Sequence, residues 1–222
     1  MKNRAGRSIS AGMSCCHHCD DDPLRDNAAY RRILWIVLAI NAAMFAVEIG
    51  AGLAAGSAAL QADALDFFGD AANYGISLLV VGMALRYRAM AAFAKGASMG
   101  MFGLWVIGVA VWHAAHGTLP HAFTMGAVGF AALAANAASF GLLWAYRGGD
   151  ANMRSAWICT RNDVLGNLAV LLAALGVLGT GTGWPDFIVA AIMAALALQG
   201  AWTVIRQSIG ELRRPVFPVA AE

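Results

Sequence analysis

Six apolar stretches, each long enough to cross a bilayer, take up nearly all of this sequence. A hydrocarbon core is about 30 Å thick, so a spanning helix needs roughly 20 mostly apolar residues. Stretches at roughly 31–55, 57–85, 90–115, 122–146, 153–178 and 184–208 meet that requirement. With no water in the hydrocarbon, backbone N–H and C=O groups must bond within the chain, which selects helices for such stretches. The expected fold is therefore an all-α integral membrane protein with six transmembrane helices. Composition agrees, since 60% of the 222 residues are hydrophobic and 13% are charged. A soluble domain carries about twice that charge density. The expected organisation is a disordered tail over residues 1–30, one membrane domain over 31–210 and a short tail over 211–222.

Charge placement sets the orientation. The fifteen Lys and Arg fall into four groups. Lys2, Arg4, Arg7, Arg25, Arg31 and Arg32 precede the first stretch. Arg86, Arg88 and Lys95 follow the second; Arg147, Arg154 and Arg161 follow the fourth; Arg206, Arg213 and Arg214 close the sixth. The loops near 53–58, 116–122 and 179–185 contain none. Cytoplasmic loops gather Lys and Arg, so both termini are expected in the cytoplasm. The first thirty residues hold no apolar run of the kind a cleavable signal needs. A reducing compartment also argues against a disulfide framework for Cys15, Cys16, Cys19 and Cys159. The charge is sorted by membrane side rather than gathered on one face, so no nucleic-acid partner is expected.

The N-terminal tail carries Cys15, Cys16, His17, His18 and Cys19, followed by Asp20, Asp21 and Asp22. Thiolates, imidazoles and carboxylates this close suit a borderline-soft divalent ion. The spacing is tighter than that of a folded zinc finger. The cluster is either a loose capture site for metal or an acidic spacer. In the third stretch, Gly96, Gly100, Gly103 and Gly108 would let another helix approach closely, in the same chain or in a second copy. Ordinary glycine content of a membrane helix is the alternative.

A charge in hydrocarbon costs on the order of 3 kcal/mol or more, so each one needs a reason. The sequence places Glu48 in the first stretch, Asp63, Asp66 and Asp70 in the second, and Asp163 with Arg161 in the fifth. Asp186, at the outer end of the sixth, is expected within reach of solvent. Asp66 and Asp70 are four apart and share a helix face. Their repulsion is relieved by a shared cation, a shared proton or both. Cys159 and Asp163 repeat that spacing, and both pairs fall in the middle third of their helices. Three carboxylates and one thiolate give the four donors that a zinc-like ion prefers. Cys159 could equally be a small buried hydrophobe, and Asp163 could pair with Arg161 or bond Asn167. Asn41, Asn73, Asn136 and Asn167 are buried amides expected to join helices by hydrogen bonds. Asp63, Asn73 and Asn167 are also candidates to orient the four ligands. His113, His116 and His121 form either an exit-side metal site or, as favoured here, part of a solvated loop. No nucleophile–base constellation stands out, so an enzyme is not expected.

The stretch from Asn41 to Asp70, NAAMFAVEIGAGLAAGSAALQADALDFFGD, resembles the signature of the cation diffusion facilitator family. The matching features are an Asn, a Glu before a Gly, Gly-Ser, Ala-Asp-Ala and an Asp seven residues further on. Similarity continues through Asn152-Met153-Arg154-Ser155, Asp163 to Asn167 and Trp184-Pro185-Asp186, and spans about residues 33–210. The resemblance implies a bacterial inner-membrane transporter that exports divalent metal, usually zinc, in exchange for protons, and a homodimer. It maps the family's transport site onto Asp66, Asp70, Cys159 and Asp163. It implies no tightly bound cofactor, only the transported Zn2+, or Cd2+, Co2+, Fe2+ or Mn2+, and protons. Two features depart from the family pattern. Cys159 stands where His is usual, which leans the site toward softer ions such as cadmium. The family's cytoplasmic metal-sensing domain has no counterpart after Arg214. Two other readings remain open at this stage: a membrane metal sensor or partner subunit that does not transport, and a proton-coupled exporter of organic cations.

Overall fold

The computed structural model describes residues 28–79, 85–146 and 151–213, with side chains outside the description at 77, 85, 88, 146 and 151–162. Six long helices follow one another: α1 (Ala28–Ala55), α2 (Ala58–Leu79), α3 (Leu85–His116), α4 (Ala122–Leu143), α5 (Ala151–Thr180) and α6 (Trp184–Leu212). A 3-10 turn, Trp144–Tyr146, extends α4. No strand occurs among the described residues. All except α2 are long and apolar enough to cross a membrane by length and composition. α2 differs because it carries three carboxylates. The helices match the predicted stretches to within a few residues, apart from α3, which begins at 85 rather than 90, and α2, described only to Leu79.

The outward surface of the bundle is apolar. Trp35, Met101, Leu104, Trp112, Phe130 and Leu172 are all exposed. Water would penalise such a surface and lipid accepts it. This is a multi-pass membrane protein. α2 is the central helix and touches every other one. Polar side chains facing lipid are costly, so the helix with most of them belongs inside. Its outer half is sealed, with an unbroken buried run from Ser57 to Leu65, whereas much of its inner half from Asp66 to Ile76 is only half-buried.

Small residues let the helices close in. The larger core cluster is built mainly from Ala, with Met125, Val170 and Met193 filling the gaps. A second cluster joins Tyr30, Leu34 and Val37 of α1 to Tyr74 and Leu143 at the cytoplasmic end. A Cβ on Gly96 would lie 2.9 Å from Ile205 Cγ1, one on Gly103 3.1 Å from Leu198, and one on Gly100 3.7 Å from Ala201. Three of the four α3 glycines therefore face α6 of the same chain, while Gly108 faces open space. The α1–α2 turn needs a glycine at Gly56, where φ is +64°. Gly52 admits the returning chain, since a Cβ there would lie 2.9 Å from Gln61 Cγ. Turn formation and close packing account for these two, and no hinge is required of them.

Candidate metal centre

The outer turn fixes α2 in register. Ser57 Oγ accepts from Leu60 N–H at 3.1 Å, and the Asp186 carboxylate accepts from Ser57 O–H at 2.6 Å, Ala58 N–H at 2.8 Å and Ala59 N–H at 3.1 Å. Three N–H groups that a helix start leaves without partners are thus satisfied, two of them by a side chain from α6. The sequence reading placed Asp186 within reach of solvent, and this is corrected: it is fully buried. The helix start it serves is itself buried, so its acceptor must be buried as well.

One face of α2 then carries Asp63, Asp66 and Asp70 inward from this cap. Asp63 is fully buried, and both its oxygens accept from Asn167 Nδ2, at 2.8 and 2.9 Å. Asn167 Oδ1 in turn accepts from Asn136 Nδ2 at 3.0 Å. Amides of α4 and α5 thereby hold the first carboxylate of α2. Glu48 from α1 faces Asp63 and is also fully buried.

One turn further in, the cover thins. Asp66, Asp70 and Asp163 are each half-buried. Asp163 of α5 meets Asp70 carboxyl to carboxyl and lies within electrostatic reach of Asp66. Like charges this close require a shared proton or a shared cation. Apart from that contact with Asp70, Asp163 Oδ2 has no hydrogen-bond partner among the described residues. The Tyr74 hydroxyl donates to Asp70, and the Lys95 ammonium acts on Asp70 electrostatically. A Cβ on Gly166 would lie 3.7 Å from Asp66 Oδ2, so α5 passes close beside α2 at this level. Phe45, Phe68 and Phe102 pack together at centroid distances of 5.4 to 6.2 Å and tie α1, α2 and α3 together at the same depth.

The structure thus sets Asp163 against Asp70 and within electrostatic reach of Asp66. The fourth predicted ligand, Cys159, belongs to α5 one turn before Asp163, but its side chain lies outside the description, as does that of Arg161. Among the described residues no three His, Cys, Asp or Glu side chains are already set around one ion. The tail residues Cys15, Cys16, His17, His18 and Cys19 lie outside the described residues. Asn167 orients Asp63, and Asn73 accepts from Lys95 Nζ at 3.3 Å. Asn73, Asn136 and Asn167 do join helices. Asn41 Nδ2 donates within its own helix, to Val37 O at 2.8 Å.

The three histidines serve separate ends. His116 stacks on Trp112 at 3.8 Å and bonds its carbonyl. His121 caps α4, accepting from Thr124 N–H at 3.4 Å. His113 lies beside Phe187, at 6.3 Å between ring centroids. Sequence reasoning missed the His121 cap, the role of Asp186 and the depth of Lys95. Only His121 left a signal, through Thr124 three residues on.

Residues 34–213 match the cation efflux transmembrane domain. The zinc transporter ZitB of Escherichia coli is 29% identical over 215 residues, covering 90% of this chain and 68% of that protein. ZitB of Yersinia pestis is 29% identical over 198 residues, 81% of this chain and 62% of that one. The cadmium, cobalt and zinc/H(+)-K(+) antiporter of Bacillus subtilis is 24% identical over 200 residues, 83% of this chain and 64% of its own length. The chain thus spans roughly two thirds of these relatives. They are bacterial, and this is a multi-pass protein of the bacterial inner membrane. With four-fifths of its residues inside the matched domain and its acidic helix at the centre of the bundle, this chain belongs to the cation efflux family.

Proposed function

We propose that this chain exports divalent transition-metal cations from the cytoplasm, zinc first and cadmium next, in exchange for protons. The observation that carries this reading is the contact of Asp163 of α5 with Asp70 of α2, with Asp66 in electrostatic reach and all three half-buried. Cys159, one turn from Asp163 on the same helix face, supplies a fourth donor and completes the tetrahedral set that zinc prefers. The thiolate is a softer donor than imidazole and widens the range toward cadmium.

Metal arrives from the cytoplasmic side, where the cover of α2 is thinner. Its ligands must lose protons to bind it, so protons and metal compete for the same groups. When the site turns outward, protons displace the ion and the protonated carboxyls return inward. Exchange at one set of groups couples the two fluxes without a separate proton path. Asp63, Asn167 and Asn136 hold α2 in register against α4 and α5 throughout. The names of the relatives, zinc transporters and a cadmium, cobalt and zinc antiporter, support the same cargo.

The test is flux in proteoliposomes carrying an internal zinc indicator, with and without a pH gradient. Zinc uptake driven by the gradient is expected in the wild type and lost in Asp70→Ala and Asp163→Ala. Binding without flux would point to a sensor, and drug flux indifferent to zinc would point to an organic-cation exporter. Cys159→His should shift the cadmium-to-zinc ratio toward zinc. An unchanged ratio removes Cys159 from the ligand set.

A further inference from the structure

The Arg and Lys side chains of this protein mark the cytoplasmic side, but Lys95 stands deeper than a loop charge. It lies ten residues into α3, about 15 Å along the axis at 1.5 Å per residue. Packing explains how Lys95 and Asp70 come together. α2 and α3 touch where a Cβ on Gly69 would lie 3.2 Å from Met99 Cε. One turn toward the cytoplasm on each helix brings Asn73 opposite Lys95, whose Nζ donates to Asn73 Oδ1 at 3.3 Å. Asp70 lies between Gly69 and Asn73, and the ammonium acts on it. An ammonium inside a membrane helix costs roughly 3 kcal/mol. A hydrogen bond to a neutral amide returns about 1 kcal/mol, and the Asp70 carboxylate supplies the opposite charge.

We propose that Lys95 is a tethered counter-cation of the metal centre: its ammonium partly neutralises Asp70 when no metal is bound and yields that place to the incoming divalent ion. The proposal rests on the assignment of Asp70 as a metal ligand. A lysine suits the role. It is a point charge on a flexible four-carbon stem, so it can approach the carboxylate or withdraw along Asn73 without any backbone movement. A fixed positive charge opposes a second, mobile one. Lys95 therefore weakens metal binding and hastens release. It is a positioning and tuning residue rather than a ligand.

The experiment measures zinc binding to the purified full chain at one fixed pH, by competition with a fluorescent chelator, alongside zinc flux in proteoliposomes. Variants are Lys95→Gln, Lys95→Met and Lys95→Arg. Loss of the charge is expected to tighten zinc binding on the order of tenfold, from the Coulomb energy of a divalent ion and an ammonium in a partly polar site. Maximal flux should fall in the same two variants because release slows. Lys95→Arg should stay within about threefold of the wild type in both, since it keeps the charge. A misfolded variant binds zinc more weakly, so tightening in either neutral variant cannot come from damage. Unchanged or weaker binding in both neutral variants, with wild-type flux intact, overturns the proposal and leaves the transport reading standing. A wild type that neither binds nor moves zinc overturns both.

Discussion

Replacing Asp186 by Ala tests whether the outer turn holds α2 in place. The carboxylate accepts three hydrogen bonds, from Ser57 O–H, Ala58 N–H and Ala59 N–H, at 2.6, 2.8 and 3.1 Å. Its residue is 0% exposed, so truncation leaves those donors buried. A hydrogen bond to a charged group contributes about 1.5–3 kcal/mol, and a buried donor left without a partner costs about 1–3 kcal/mol. The three donors are adjacent and one admitted water would serve more than one of them. The sum is therefore well below three independent losses, at about 4 kcal/mol. For a chain of this size each kcal/mol shifts the melting temperature by about 2–4 °C, so Asp186→Ala should melt about 8–16 °C lower. Asp186→Asn keeps one acceptor oxygen and should lose roughly half as much. Unfolding in detergent is commonly irreversible, so wild type and variants must be compared at one scan rate. The assay is tryptophan fluorescence during heating in a fixed detergent. If Asp186→Ala melts within about 2 °C of the wild type, the cap does not hold the turn and this account of α2 fails.

Two further substitutions test the packing around the same helix. Asn167→Leu keeps the volume but strips Asp63 of its donor and should cost about 2–3 kcal/mol. Asn136→Leu, which removes only the outer link of that chain, should cost about 1 kcal/mol, and equal melting temperatures for the two would sink the relay. Gly96→Val should cost about 1–3 kcal/mol by overpacking α3 against Ile205, Val204 and Ala201. Gly108→Ala, with nothing within 4 Å of the added Cβ, should stay within about 1 kcal/mol of the wild type, as read by melting in the same detergent.

How much was legible in the sequence followed the size of the physical penalty. The six helices were legible because hydrocarbon forbids unsatisfied backbone. Asp66, Asp70 and Asp163 stood out because carboxylates in lipid are expensive, and spacing of four on a helix leaves little choice of face. Depth and partner were less legible. Lys95 counted with Arg86 and Arg88 as a marker of the cytoplasmic side, which says nothing about where a long side chain ends. Asp186 looked like a residue at a water-facing helix start. Its burial depends on the α1–α2 turn folding against it, more than 120 residues away in sequence. Glycine spacing in α3 marked a close approach without choosing between α6 and a second copy.

α2 joins stability to chemistry in one element, and the join constrains both. Its outer half from Ser57 to Leu65 is sealed, capped by Asp186 and held through Asp63 by amides of α4 and α5. Its inner half carries Asp66 and Asp70 under thinner cover. A helix held firmly along its whole length could not repack, and one held nowhere could not keep two carboxylates in register with a third on α5. Anchoring the outer end leaves the acidic turn below it free to exchange partners, whether Asp163, the Tyr74 hydroxyl or a cation. The sealed end also sets Glu48 and Asp63 apart from the proposed ligands, although they are as acidic. An ion reaching them would have to pass the fully buried run from Ser57 to Leu65, whereas Asp66, Asp70 and Asp163 are only half-buried.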